Sequence, residues 1–156
     1  KSDLPEIARN SLFADVFRLY SLRMDSIYGF TAFLSFWQLA ETISLSSNIG
    51  GKTEKVLERI SWHLEPVKKQ LMGNTMDKTL RGLAKKRNKL VHRGITDIDQ
   101  SDINIIKWIC EKAIKWLLHH SNKLRTVGQL EKYYSHRTLN KTEIKNIMIA
   151  IEHLER

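Results

Sequence analysis

With 156 residues, 42% of them hydrophobic and 28% charged, the chain fits one globular domain, is short for two and is too apolar for wholesale disorder. Its one cysteine, Cys110, excludes an intramolecular disulfide framework and a cysteine-based zinc site, and points to a reducing cytoplasm. A net charge of +9, from 26 Lys and Arg against 17 Asp and Glu, favours a polyanionic partner and says nothing about fold.

Helical spacing runs through the whole chain, and no period-2 stretch competes with it. Residues 5–24 form the first predicted helix, with Pro5 in its opening turn. The second spans 27–46 and stops at the breaker Asn48-Ile49-Gly50-Gly51. A third covers 53–72, where Pro66 is expected to kink it or divide it in two. After Gly73-Asn74-Thr75 comes a fourth, 76–92, closed by Gly94. A polar turn at 96–100 leads to a fifth helix reaching His120, capped by Ser101 or Asp102. Ile103, Ile106, Cys110, Ala113, Ile114 and Leu117 give this helix a long apolar stripe. A shorter helix lies around 127–135, and Asn140 caps a last one from Lys141 onward. The fold class is all-α: one compact bundle of about five core helices plus C-terminal helices. No run of about 18 apolar residues is present, so no membrane span is expected. The chain opens on Lys1 without a signal-peptide pattern, which suggests a single domain, 1–156, cut from a longer protein.

Two charges stand where apolar side chains belong. On the fourth helix Leu80, Leu83, Ala84, Leu90 and Val91 share one face, and Arg87 falls in its middle, with Asn88 and His92 on the border. On the second helix Ile27, Phe30, Phe33, Leu34, Trp37 and Leu45 define the apolar face, and Glu41 lies within it. An arginine left alone on such a face costs several kcal/mol, so a buried Glu41–Arg87 pair between neighbouring helices is expected. A plain bundle salt bridge explains these facts as well as a functional pair does. Between Lys78 and Thr96, however, stand seven basic residues (Lys78, Arg81, Lys85, Lys86, Arg87, Lys89 and Arg93) and no acid. Such a patch attracts an RNA backbone, and His92 is the one histidine in it, the residue type suited to proton transfer.

The run Arg87-Asn88-Lys89-Leu90-Val91-His92 reads R-N-x-x-x-H and ends in His92-Arg93-Gly94. This resembles the signature of the HEPN superfamily, compact bundles of about five helices that carry R-x(4 to 6)-H late in one of them. The Trp37-x-x-x-Glu41 pattern is also similar to the acidic position that many members set against the motif arginine. The likeness covers about 27–120, and within the superfamily it is greatest to the ApeA-like domains of antiphage and abortive-infection proteins. The resemblance implies a metal-independent endoribonuclease, a homodimer whose motif helices build a composite cleft at the interface. Arg87 and His92 would be catalytic, Asn88 would assist, and Glu41 would orient Arg87. Lys85, Lys86, Lys89 and Arg93 would hold RNA. Attack of the 2′-hydroxyl on the adjacent phosphate would leave 2′,3′-cyclic phosphate and 5′-hydroxyl ends, and no cofactor or metal is expected. The longer protein would add a sensor domain or meet an antitoxin, with this domain as the toxic effector. Other members have lost catalysis and serve as nucleic-acid- or nucleotide-binding and dimerisation modules, which is the alternative reading. A third reading uses the seven basic residues as a phosphate track for DNA.

One geometric tension follows from the motif spacing. Arg87 and His92 are five apart, about 140° around an ideal helix, so a straight helix does not aim both at one phosphate. A distortion near Gly94 or a partner chain would resolve it. Elsewhere, adjacent His119 and His120 make a poor ligand pair, and Trp108, Trp116 and Cys110 read as packing residues. Tyr133, Tyr134, His136 and Arg137 form a basic-aromatic cluster for which helix packing is the simpler explanation.

Overall fold

The computed structural model describes residues 11–24, 29–45, 50, 52–71, 73–94 and 97–138. Six α-helices account for nearly all of them: α1 (Ser11–Met24), α2 (Gly29–Ile43), α3 (Thr53–Leu71), α4 (Gly73–Arg93), α5 (Gln100–His119) and α6 (Val127–Thr138). No strand occurs among the described residues, so the protein is all-α. The parts of the expected first helix before Ser11, and the last helix from Lys141, lie outside the described residues. Among the described residues no helix is long and apolar enough to cross a membrane.

The centre of the bundle is the pairing of α2 with α5. Phe33, Phe36, Trp37, Leu39, Ala40 and Ile43 from α2 meet Ile103, Ile106, Ile109, Cys110, Ala113, Ile114 and Leu117 from α5, all of them buried. The stripe expected on the fifth helix is therefore the core seam, and Cys110 serves as a small apolar residue whose thiol donates to the Phe36 carbonyl. Against this pair α1 adds Val16 and a hydrogen bond from the Tyr20 hydroxyl to Glu111 at 2.8 Å. α3 adds Val56, Ile60 and Leu64.

Several boundaries differ from the sequence expectation, each for a local reason. α2 stops at Ile43 rather than Ser46, because Leu45 turns into the left-handed region at φ 52° and stays buried. Arg59 from α3 stabilises that end by donating to the Ser44 carbonyl at 2.7 Å, one of the carbonyls a helix end leaves unpaired. α3 continues through Pro66 as one element, so proline does not divide it. The apolar stripe Val56–Ile60–Leu64, buried ahead of that point, anchors the helix against the loss of one backbone bond.

α5 is capped by Asp99, not by Ser101 or Asp102. The Asp99 carboxylate accepts from the Asp102 N–H at 2.9 Å, and the Asp102 carboxylate accepts from the Asp99 N–H at 3.0 Å. This is a reciprocal capping box with aspartate at its third position. Asp102 also receives the Lys86 ammonium of α4, so the cap ties α4 to the start of α5. Asp102→Ala is expected to cost about 1–2 kcal/mol and lower Tm by roughly 2–8 °C, read by thermal unfolding.

Candidate active site

Arg87 and Glu41 meet as the sequence pattern predicts. Arg87 Nη2 lies 3.0 Å from Glu41 Oε1, and the two side chains are 21% and 23% exposed. Trp37, one helical turn before Glu41 and buried, donates its indole Nε1–H to the same Oε1 at 2.8 Å. Thus Trp37 fixes the carboxylate, and the carboxylate fixes the guanidinium. The second η nitrogen of Arg87 donates to Asn88 Oδ1 at 3.3 Å, while Nε is buried with no partner among the described residues. A guanidinium carries five N–H donors. Two are used, one is shut away from solvent, and one on each η nitrogen is left without a partner among the described residues. That remaining pair has the fork geometry that suits a phosphate.

α4 positions the rest of the motif. Leu80, Leu83, Ala84 and Leu90 are buried as expected, but Val91 is 50% exposed. It lies about 40° from Arg87 on the same face, one turn nearer the helix end, and the core does not extend that far. His92 is exposed and Asn88 half-buried. The helix stays regular to Arg93, and the Gly94 N–H still donates to the Leu90 carbonyl at 3.0 Å before Gly94 ends the helix at φ 65°. No distortion near Gly94 brings His92 round, so a single chain leaves the Arg87 and His92 directions about 140° apart.

The basic residues divide into two sets. Lys86 is held by Asp102 and lies 3.9 Å from Asp99, and the Asp102 hydrogen bond raises its ammonium above the ordinary lysine range. Lys89 pairs with Asp97 at 3.3 Å. Asp97 and Asp99 come from the turn that follows the motif, and Asp102 from the first turn of α5. Lys78, Arg81, Lys85 and Arg93 are exposed and make no ion pair with another described residue. Of the four lysine and arginine residues that the sequence suggests for RNA, Lys85 and Arg93 are exposed with no ion pair among the described residues, Lys89 is paired with Asp97, and Lys86 is committed to the α5 cap.

A second polar cluster, absent from the sequence reading, sits at the C-terminal end of α2. Tyr134 of α6, fully buried, donates its hydroxyl to the Ile43 carbonyl at 2.8 Å. Its hydroxyl therefore accepts from His63 Nε2–H, 2.7 Å away, and fixes that tautomer. His63 Nδ1 is left as a buried lone pair without a partner among the described residues. The His63 ring lies 4.5 Å from that of Trp116, and the Arg59 guanidinium sits 4.5 Å over the Tyr134 ring. Burial, with a smaller contribution from His120, pushes the imidazole down from 6.5 to about 3. Arg59 and His63 are four apart on the Val56–Ile60–Leu64 stripe, so the misplaced-charge argument that found Glu41 and Arg87 applies to them too. Tyr134 confirms the packing reading of the basic-aromatic cluster, and Tyr133 is half-buried beside it.

Compared with known proteins, the chain matches no family model, and no match is found among curated proteins or solved structures. A functional reading therefore starts from the site itself.

Proposed function

We propose that this domain is a metal-independent endoribonuclease of the HEPN type, active as a homodimer. The observation that carries the reading is the Trp37–Glu41–Arg87 relay, which holds a guanidinium at the edge of the core with two of its η donors not taken up by any described residue. A bundle that needed only cohesion at this point would do as well with apolar residues. Arg87 would clamp the scissile phosphate and stabilise the additional charge of a phosphorane-like transition state. His92 would transfer protons between the attacking 2′-hydroxyl, the leaving 5′-oxygen and solvent. Asn88, between them on the helix surface, would orient the phosphate or the 2′-hydroxyl. The opposed directions of Arg87 and His92 support a cleft completed by a second copy, and the exposed Val91 beside Arg87 supplies an apolar contact for it.

The same opposition favours a second reading, in which the motif only binds nucleic acid and the domain dimerises its host protein. Incubation with mixed tRNA and mRNA in EDTA separates the two. Wild type is expected to cut, His92→Ala to lose about 10²–10⁴-fold, and Arg87→Ala at least about 10²-fold. Intact RNA with a folded wild-type dimer across a range of pH favours the binding module, and equal cutting by all three proteins indicates a contaminating nuclease.

A further inference from the structure

α4 carries a second functional face, on the side away from Glu41. At about 100° per residue, Lys78, Arg81, Lys85, Lys89 and His92 fall within a strip about 80° wide, and its centre line lies about 160° from Arg87. All five are exposed. They follow one another along the axis at intervals of about 4.5–6 Å and extend over about 21 Å. Lys78, Arg81 and Lys85 make no ion pair with another described residue. Lys89 shares Asp97, a half-exposed surface pair of a kind worth roughly 0–1 kcal/mol, which a phosphate can displace. Apart from Glu41, the acids that pair with this segment among the described residues, Asp97, Asp99 and Asp102, gather around Lys86 and Lys89 at the α5 cap. Charge is thus neutralised around Lys86 and Lys89 at the α5 cap, while Lys78, Arg81 and Lys85 keep no ion pair with another described residue.

We infer that this row is a docking ridge for the phosphate backbone of a single nucleic-acid strand, with three of its cations, Lys78, Arg81 and Lys85, well clear of the Arg87 site. The ridge deepens the ribonuclease reading and rests on it for the choice of RNA, but it does not require cleavage. Its chemistry is that of point charges on flexible stems, with no buried polar group and no aromatic platform. It therefore recognises phosphates and not bases or 2′-hydroxyls. A strand lying on it runs along the helix toward His92, so binding and phosphate activation use opposite sides of one helix. An ordinary solvated face also carries lysines. What sets this one apart is that no acid of α4 falls within the strip: Asp77 lies about 40° beyond its Arg81 edge, and Asp97, Asp99 and Asp102 gather toward its Lys89 end.

The test compares a row variant, Lys78→Gln/Arg81→Gln/Lys85→Gln, with a control of equal charge loss, Lys115→Gln/Lys123→Gln/Lys132→Gln, all six residues being exposed. Binding of fluorescent single-stranded RNA and DNA of about 20 nucleotides is followed by anisotropy over a salt series. The row variant is expected to bind about ten-fold more weakly, and its slope of log affinity against log salt to fall by roughly two, since each lost phosphate contact removes about 0.7. The control is expected to change less than about three-fold, and DNA to bind within a few-fold of RNA. Equal weakening by both variants overturns the ridge, as does an unaffected row variant, or binding confined to RNA. Should the wild type bind through the row yet leave RNA uncut, the ridge stands and the ribonuclease reading fails. Should it cut RNA while the row variant binds normally, the ribonuclease stands and the ridge fails.

Discussion

Arg87→Ala and His92→Ala proteins, each inactive alone, are expected to regain RNA cleavage when mixed and allowed to exchange subunits. The argument is geometric. α4 is regular from Gly73 to Arg93, and the Gly94 N–H continues its hydrogen-bond ladder. Arg87 is fixed toward Glu41 by the Trp37 relay, and His92 points about 140° away into solvent. Neither side chain can join the other on one phosphate within a single chain. In a two-fold dimer each half-site takes one residue from each protomer. A mixed dimer then holds one half-site with both residues intact and one with neither. Random assortment makes half the dimers mixed, so the recovered rate is about a quarter of wild type if the half-sites act independently. Recovery is read from single-turnover cleavage against the mixing ratio. Complete loss at every ratio means that both residues act from the same chain, or that cleavage is not their task.

The second large effect is on acid stability. His63 is buried and neutral, and its folded pKa of about 3 lies below the 6.5 of an unfolded histidine. The unfolded chain therefore binds a proton that the native state refuses. Stability from this group is complete above pH 6.5 and is lost as pH falls from there toward 3. The loss approaches ~1.4 kcal/mol per pH unit and totals of the order of 5 kcal/mol over the whole span, a large part of a domain's 5–15 kcal/mol. The cost of protonation is set first by burial, the ring being packed 4.5 Å from that of Trp116 and bonded to the Tyr134 hydroxyl, and then by the charge of His120. Carboxylates titrate lower in the same range, so the diagnostic is a difference. Urea unfolding of His63→Gln is expected to show a flatter dependence between pH 6.5 and 4.5 than wild type, whatever its stability at neutral pH. Parallel dependences would assign acid sensitivity to other groups.

The sequence makes the bundle and its central ion pair legible for a single reason. Helical periodicity shows which face must be buried, and a charge on that face requires a partner. Glu41 and Arg87 each interrupt an otherwise apolar stripe, and the structure places them 3.0 Å apart. Arg59 and His63 interrupt the α3 stripe in the same way, but their partners are backbone carbonyls and a tyrosine hydroxyl, which leave no complementary charge to find. The fate of Lys86 and Lys89 is harder to read. Asp97, Asp99 and Asp102 are eight to sixteen residues further on, and their approach to α4 depends on the path of the intervening turn and on the capping box it closes. Val91 shows the remaining limit: periodicity puts it on one face with Leu90, but not that the core takes in Leu90 and leaves Val91 half exposed.

The most direct measurement is the chemistry of the fragment ends that the wild-type domain leaves on RNA in EDTA. Mass spectrometry of the products is expected to show 2′,3′-cyclic phosphates facing 5′-hydroxyls, formed at least about 10²-fold more slowly by Arg87→Ala or His92→Ala protein. Fragments ending in 3′-hydroxyls with 5′-phosphates, or cutting that needs an added divalent metal, would contradict a mechanism built on the 2′-hydroxyl, Arg87 and His92.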